Sequence, residues 1–262
     1  SLSTTGAWYR SLIPTELTGH HYIEALQDEL VMPSFDAGRF TPGAIGNSIL
    51  YATLATLFGM VLALATAVVV VRSNVRLRWL LDVLATLPLA VPGLVLAFGY
   101  LSIGVTLKRL LGEDTPEFLD VQRWPVLFLV LAYATRRLPY IVRSAVAGLE
   151  QTPPVLELSA RNLGASLAVS LRRITLPLIM ANLLAGGLMA FTFALLEVSD
   201  SLVLAQTAEY FPITKAIWEL SQRLGDGAHI ASALGVWAMV LLGLTLLAVS
   251  ATLGKRLGAL FR

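Results

Sequence analysis

No cysteine occurs in the 262 residues, which excludes disulfides and Cys-ligated metal or iron–sulfur centres. Charge is also scarce. Only 14% of residues are Asp, Glu, Lys or Arg, against roughly 25% in soluble domains. The net charge of +2 is too small to imply a nucleic-acid partner. There are three histidines. His20 and His21 are adjacent, His229 stands far away, and none has metal-ligand spacing, so all three read as ordinary surface residues and no metal is expected. No His/Asp/Glu or Ser/His cluster supports a membrane enzyme, and the Gly-x-x-x-x-Gly-Lys-Ser/Thr phosphate loop is missing. Gly254-Lys255-Arg256 is only a basic tail. No basic-then-apolar signal pattern opens the chain, and residues 1–44 read as a polar extramembrane segment.

What is abundant is apolar sequence, at 56%. A spanning helix needs about 20 mostly apolar residues. Uncharged runs of 27, 24, 23 and 25 residues occupy Ile45–Val71, Val83–Thr106, Ile174–Leu196 and Ile230–Gly254. A fifth candidate, Trp124–Thr135, offers 12 uncharged residues before Arg136-Arg137. It reads either as a span whose arginines reach to the interface or as a half-buried or re-entrant segment. Five spans are expected, near 45–71, 80–106, 121–143, 174–197 and 229–254, with a loop at 144–173 and a tail at 256–262.

Charge orients this arrangement. With the N-terminal side outside, the inner stretches hold 12 Lys/Arg and 3 acids, and the outer ones 7 Lys/Arg and 14 acids. That is the positive-inside signature, and it is lost if the third span is removed. Pro88 and Pro92-Gly93 are expected to kink the second span. Gly186-Gly187 would allow close helix contact in the fourth. The outer loop Gln206–Gly227 is amphipathic, suited to the membrane surface or to packing on the bundle. Polar groups in or beside spans are candidates for a solute path. Asn182, Thr192 and Glu197 are those candidates, with helix–helix hydrogen bonding as the other explanation.

The inner loop carries most of the information. After Pro153-Pro154, Val155–Leu163 reads as a short helix, with Leu156, Leu163 and Leu167 at helical spacing. Gly164 is a helix stop or a point of close approach. The chain then re-enters the bilayer at Ile174-Thr175-Leu176-Pro177, where proline in a first helical turn costs little. This stretch, Leu156-Glu157-Leu158-Ser159-Ala160-Arg161-Asn162-Leu163-Gly164 followed by Ile174-x-Leu176-Pro177, resembles the EAA loop of binding-protein-dependent ABC importer permeases. Ser159 and Ala160 take the two Ala positions. Nine residues separate Gly164 from Ile174, as in the family pattern. The family's Glu falls on Leu158, and the acid here lies one residue earlier, at Glu157. Arg137-Leu138-Pro139-Tyr140, Pro88 to Gly93 and Asn47-Ser48 are similar to permeases of the iron(III), thiamine, polyamine and phosphonate group.

The resemblance implies an all-α, polytopic inner-membrane protein. It would be the five-helix core of a type I ABC importer permease, with its N-terminus outside and its C-terminus in the cytoplasm. Such halves usually carry a sixth helix ahead of the core, so this chain is expected to lack that first helix, as a truncated permease or the second half of a fused one. The implied function is passage of a small solute, iron(III) or a related ion or metabolite, by alternating access. The implied partners are a cytoplasmic ATPase dimer that binds ATP-Mg, a second permease half, a periplasmic substrate-binding protein and membrane lipid. This chain itself would bind no cofactor. Glu157, Ser159, Ala160, Arg161, Gly164, Ile174, Leu176 and Pro177 would form the ATPase-coupling loop. An ion-gradient-coupled secondary transporter or channel is the alternative. It would call for ionisable groups deep in the spans, and here they sit at the edges.

Overall fold

A computed structural model describes residues 18–36, 39–112 and 115–260. Residues 1–17 of the expected polar segment and residues 261–262 of the expected tail lie outside the described residues. The described elements are α1 (His20–Gln27), β1 (Ser34–Asp36), β2 (Arg39–Thr41), α2 (Gly43–Arg72), α3 (Arg78–Thr86), α4 (Gly93–Leu111), α5 (Val126–Gln151), α6 (Val155–Asn162), α7 (Leu167–Ser170), α8 (Leu176–Leu195), α9 (Ser199–Leu204), α10 (Ile213–Gln222) and α11 (Gly227–Leu260). Strands β1 and β2 pair antiparallel, with Phe35 opposite Phe40.

Among the described residues, four helical stretches are long and apolar enough to cross a membrane: Gly43–Arg72, Gly93–Leu111, Leu167–Leu195 and Gly227–Leu247. Their sequences are long apolar runs whose charges, Arg72, Lys108 and Arg109, and Arg172 and Arg173, lie near one end, and such runs gain most in hydrocarbon as fully hydrogen-bonded helix. The fifth helix, α5, has 26 residues. At 1.5 Å per residue that is roughly 39 Å, enough to span, although Arg136, Arg137 and Arg143 lie within it.

Two expected spans differ in detail. The stretch 80–106 is two helices, because Pro88 and Pro92 remove two backbone donors one helical turn apart. Pro88 sits in a short 3-10 turn, Leu87–Leu89, and Pro92 immediately precedes α4. The last long run before α9 starts earlier than Ile174. The helix begins at Leu167, after Ser166 caps it by accepting the Val169 N–H. It passes through a π-helical turn at Leu171–Thr175 and continues as α8. Pro177 is therefore inside a continuous helix and not in its first turn. Its ring would clash with the carbonyl four residues back, at Arg173, and the widened π turn contains that residue.

The chain divides into two compact units. The first comprises residues 1–52, 93–132 and 195–247. Its core gathers Ala25 and Val31 near α1, Ala44 of α2, Ile213, Ala216 and Leu220 of α10, and Ile230 and Leu234 of α11. Helix α10 is thus packed in this core through Ile213, Ala216 and Leu220, with Trp218 left exposed. Trp237 Nε1 donates to the Tyr22 carbonyl at 3.1 Å, and Arg223 pairs with Asp28 at 2.6 Å. His21 is not the surface residue expected. It is 6% exposed, and its ring stacks on that of His229 at 5.1 Å, because it occupies the inward face of α1 with Ala25.

The second unit comprises residues 53–92, 133–194 and 248–262. Its core is Ile141, Val142, Ala145 and Leu149 of α5 against Ala63 and Ala67 of α2 and Ile179 and Leu183 of α8. Small residues let α5 and α8 approach. A Cβ on Gly186 would lie 2.7 Å from Ser144 Cβ and 3.0 Å from Ile141 Cα. One turn away, Gly148 faces Asn182 in the same manner. The Ser144 hydroxyl bonds the Asn182 carbonyl at 2.5 Å and fixes the register of the crossing.

Candidate functional site

The loop that carries the EAA-like pattern lies in the second unit and is built around one arginine. Arg72, the last residue of α2, donates Nε–H to Glu157 Oε1 at 3.1 Å. Its Nη2 donates to the carbonyls of Leu149 (3.0 Å) and Thr152 (2.7 Å) at the end of α5. A helix C-terminus leaves such carbonyls without intrahelical partners and carries partial negative charge, so a guanidinium fits there. The same Glu157 oxygen accepts from Thr175 Oγ1 at 2.9 Å. Thr175, in the π turn, is 1% exposed. One carboxylate and one guanidinium thus tie together the end of α2, the end of α5, the short helix α6 and the start of the long α7–α8 helix. A cavity of about 180 Å³ adjoins the clamp, bordered by Val68, Arg72, Glu157, Arg161, Ser170 and Thr175.

Helix α6 itself is inverted in character. Its single acid, Glu157, faces the rest of the unit, with its side chain 19% exposed. Its leucines face away: Leu156 is 43% exposed and Leu158 54%, and Leu163 just beyond is 91% exposed. Ser159 and Arg161 are also exposed, and Ala160 is half-buried. The apolar spacing noted in the sequence is real, but it does not mark a buried face. Gly164 ends the helix with φ +90°. Its N–H reaches the Arg161 carbonyl at 2.9 Å, and the Ala165 N–H reaches Ala160 at 3.0 Å, a Schellman pair of bonds. No atom lies within 4 Å of a Cβ placed on Gly164, so within this chain it is a helix stop and not a close-approach point. Ile174 and Leu176 are half-buried and Pro177 is exposed on the following helix.

The candidate path residues are not brought together within one unit. Asn182 and Thr192 belong to the second unit and Glu197 to the first. The Asn182 side chain packs at Gly148, and Thr192 Oγ1 bonds Leu188 O of its own helix at 2.8 Å. Glu197 is 3% exposed and accepts the Ser199 N–H at 3.1 Å, at the start of α9. Arg136 and Arg137 lie well within α5 and not at its edge, which corrects the expectation that ionisable groups sit only at the edges of the spans. Arg137 Nη2 donates to the Phe193 carbonyl at 3.2 Å, and its guanidinium stands 5.5 Å from the Phe193 ring. Charge within a long apolar helix was the signal available for them. Among the described residues, no group of three or more His, Cys, Asp or Glu is placed to hold a metal.

The chain as a whole is similar to known proteins. The family described as "Binding-protein-dependent transport system inner membrane component" matches residues 55–259. A probable molybdenum ABC transporter permease protein of Haloferax volcanii is 31% identical over 208 residues, covering 79% of this chain and 72% of that protein. The sulfate transport system permease protein CysT of Salmonella typhimurium is 31% identical over 150 residues, 57% of this chain and 54% of that protein. In fold, the chain is similar to a bacterial ABC transporter involved in the import of the acidic polysaccharide alginate. The TM-score is 0.71 at 20% identity, over 92% of this chain and 85% of that one.

Proposed function

Because the chain belongs to the family of binding-protein-dependent transport system inner membrane components, we propose that α6 is the surface through which a separate ATPase subunit drives this ABC importer permease. The chain is a multi-pass inner-membrane protein of that family. One observation carries the proposal: α6 turns its leucines outward and its acid inward. An apolar row outside the membrane-spanning runs costs free energy in water and is characteristic of a surface that another protein covers. Glu157, held by Arg72 and Thr175, then passes movement of α6 to α2, α5 and α8. The chain's N-terminal side is proposed to face outward, as the charge distribution favours. ATP-Mg would act in the partner subunit, and a second permease half and a periplasmic binding protein would complete the importer.

The experiment is purification of the intact complex from cells carrying wild type or Leu158→Glu. The wild type should bring an ATPase subunit with it. The variant should insert normally and lose that subunit. ATP-driven uptake at the wild-type rate by Leu158→Glu would overturn the docking role.

For the solute, the supporting facts favour a tetrahedral oxyanion over iron(III). One relative above is named for molybdenum and the other for sulfate, and neither is named for iron. Molybdenum dissolves at neutral pH as molybdate, which shares the shape and charge of sulfate. Arg136 and Arg137 put positive charge roughly 15 Å along α5, where an anion crossing a low-dielectric region needs it. Asn182 and Thr192, in the same unit as these arginines, would contribute further neutral polar groups. Proteoliposomes of the complex should take up molybdate or sulfate with ATP inside, and Arg137→Met should slow that uptake. Ferric uptake alone would reverse the assignment. Uptake driven by an ion gradient without ATP would favour the secondary carrier.

A further inference from the structure

A cavity of about 590 Å³ lies in the first unit, away from the loop clamp. Its size falls within the roughly 300–1,000 Å³ of small-molecule sites. Its lining includes the aromatic residues Phe40 of β2, Phe118, Trp124 and Tyr210 and the acidic residues Glu117 and Glu209. No lysine or arginine is among its described lining residues.

The walls are fixed by buried polar contacts from the start of α2. Asn47 Nδ2 donates to the carbonyls of Glu209 (2.9 Å) and Phe211 (3.1 Å). Tyr51 donates its hydroxyl to the Tyr210 carbonyl at 3.2 Å, and Ser48 Oγ accepts the Ile213 N–H at 2.8 Å. These three side chains are at most 2% exposed. The segment that carries Glu209 and Tyr210 is therefore pinned at four points before any ligand arrives, which lowers the ordering cost of binding.

Aromatic faces attract cations through their quadrupole, and carboxylates add full charge of the right sign. Among the described lining residues an oxyanion would meet acidic side chains and no lysine or arginine, so this cavity does not suit the proposed cargo. The same unit already applies this chemistry to one of its own side chains. Lys215 is 7% exposed, with Nζ 4.3 Å from the Trp218 ring, 5.2 Å from the Phe211 ring and 2.7 Å from Glu219 Oε1. We propose that the Phe40–Trp124–Glu209 cavity binds an organic cation, a protonated amine or quaternary ammonium group. The group is supplied either by a free solute or by the headgroup of a zwitterionic lipid.

The test is isothermal titration calorimetry of the purified transporter complex in phosphatidylglycerol nanodiscs. The probes are choline, benzylammonium and the neutral choline isostere 3,3-dimethylbutan-1-ol. At least one cation should bind saturably and at least tenfold more tightly than the neutral isostere. Glu209→Gln should weaken it at least tenfold, and Trp124→Leu should do the same through the ring, each with an unchanged unfolding midpoint as the check on folding. Nanodiscs containing phosphatidylcholine separate the two sources: a tenfold drop in apparent choline affinity identifies a lipid headgroup, and no change identifies a free solute. Absence of binding by both cations overturns the proposal, as does equal binding of the neutral isostere or insensitivity to both variants. ATP-driven uptake of molybdate is read separately, so failure here leaves the importer assignment standing.

Discussion

Glu157 accepts both the Nε–H of Arg72, at 3.1 Å, and the hydroxyl of Thr175, at 2.9 Å, through the same oxygen. The Arg72 and Glu157 side chains are 15% and 19% exposed. A charge-assisted bond in such partly dry surroundings contributes about 1.5–3 kcal/mol, and loss of one partner leaves the other charge without its match. Glu157→Ala and Arg72→Met should each lower the unfolding midpoint in detergent. Together they should cost less than the sum, with a coupling of about 1 kcal/mol or more. Additivity within about 0.3 kcal/mol would mean that the pair contributes nothing of its own.

Gly164 provides a second test of the loop. Its φ of +90° is a left-handed conformation that a side chain resists. Gly164→Ala should cost about 1 kcal/mol, and Gly164→Asn less, since Asn tolerates that region better. A Cβ there meets nothing within 4 Å in this chain, so the cost is conformational. ATPase activity that stays coupled to transport in Gly164→Asn but not in Gly164→Val would support this order. Equal behaviour of all three variants would refute the helix-stop role.

These two residues show what the sequence could and could not disclose. Spans are local: long uncharged runs announce them, and α2, α8 and α11 appear where the runs are. The helix at Val155–Asn162 was also visible, bounded by Pro153-Pro154 and Gly164. Its orientation was not. Leucines at helical spacing ordinarily mark a buried face, and here they are the exposed one. The reason is a contact between residues 85 apart, Arg72 and Glu157, that no local pattern contains. The displaced acid at Glu157 looked like a departure from a motif, and in the fold it is the group that anchors the helix. Burial of His21 depended likewise on a distant partner, His229. The π turn before Pro177 follows from proline sterics, but only once the helix is known to start at Leu167.

The α5–α8 crossing allows an internal control. A methyl group on Gly186 would stand 2.7 Å from Ser144 Cβ, whereas one on Gly235 in α11 meets nothing within 4 Å. Gly186→Ala should destabilise by about 1–3 kcal/mol through overpacking. Gly235→Ala should be neutral or slightly stabilising, because alanine is the better helix former. Thermal unfolding of both variants checks this. Equal shifts would contradict a tight crossing at Ser144 and Gly186.

Asp120 ties stability to pH in the connection between α4 and α5. It is 4% exposed, and burial works against its ionisation. The hydrogen bond from Lys108, at 2.8 Å, and the Gln122 N–H, at 3.0 Å, outweigh that cost and lower its pKa. A carboxyl with a lower pKa folded than unfolded stabilises the fold fully above its unfolded value, near 3.9. That stabilisation is lost as pH falls through the lower folded value. Lys108 is 39% exposed, so solvent screening holds the gain to about 1 kcal/mol. The unfolding midpoints of wild type and Asp120→Asn should therefore differ by a constant amount from about pH 8 to about pH 5, begin to converge only below about pH 4, and meet only once pH has fallen through the lowered folded pKa. A difference that persists unchanged into acid would place the effect of Asp120 in its shape and not in its charge.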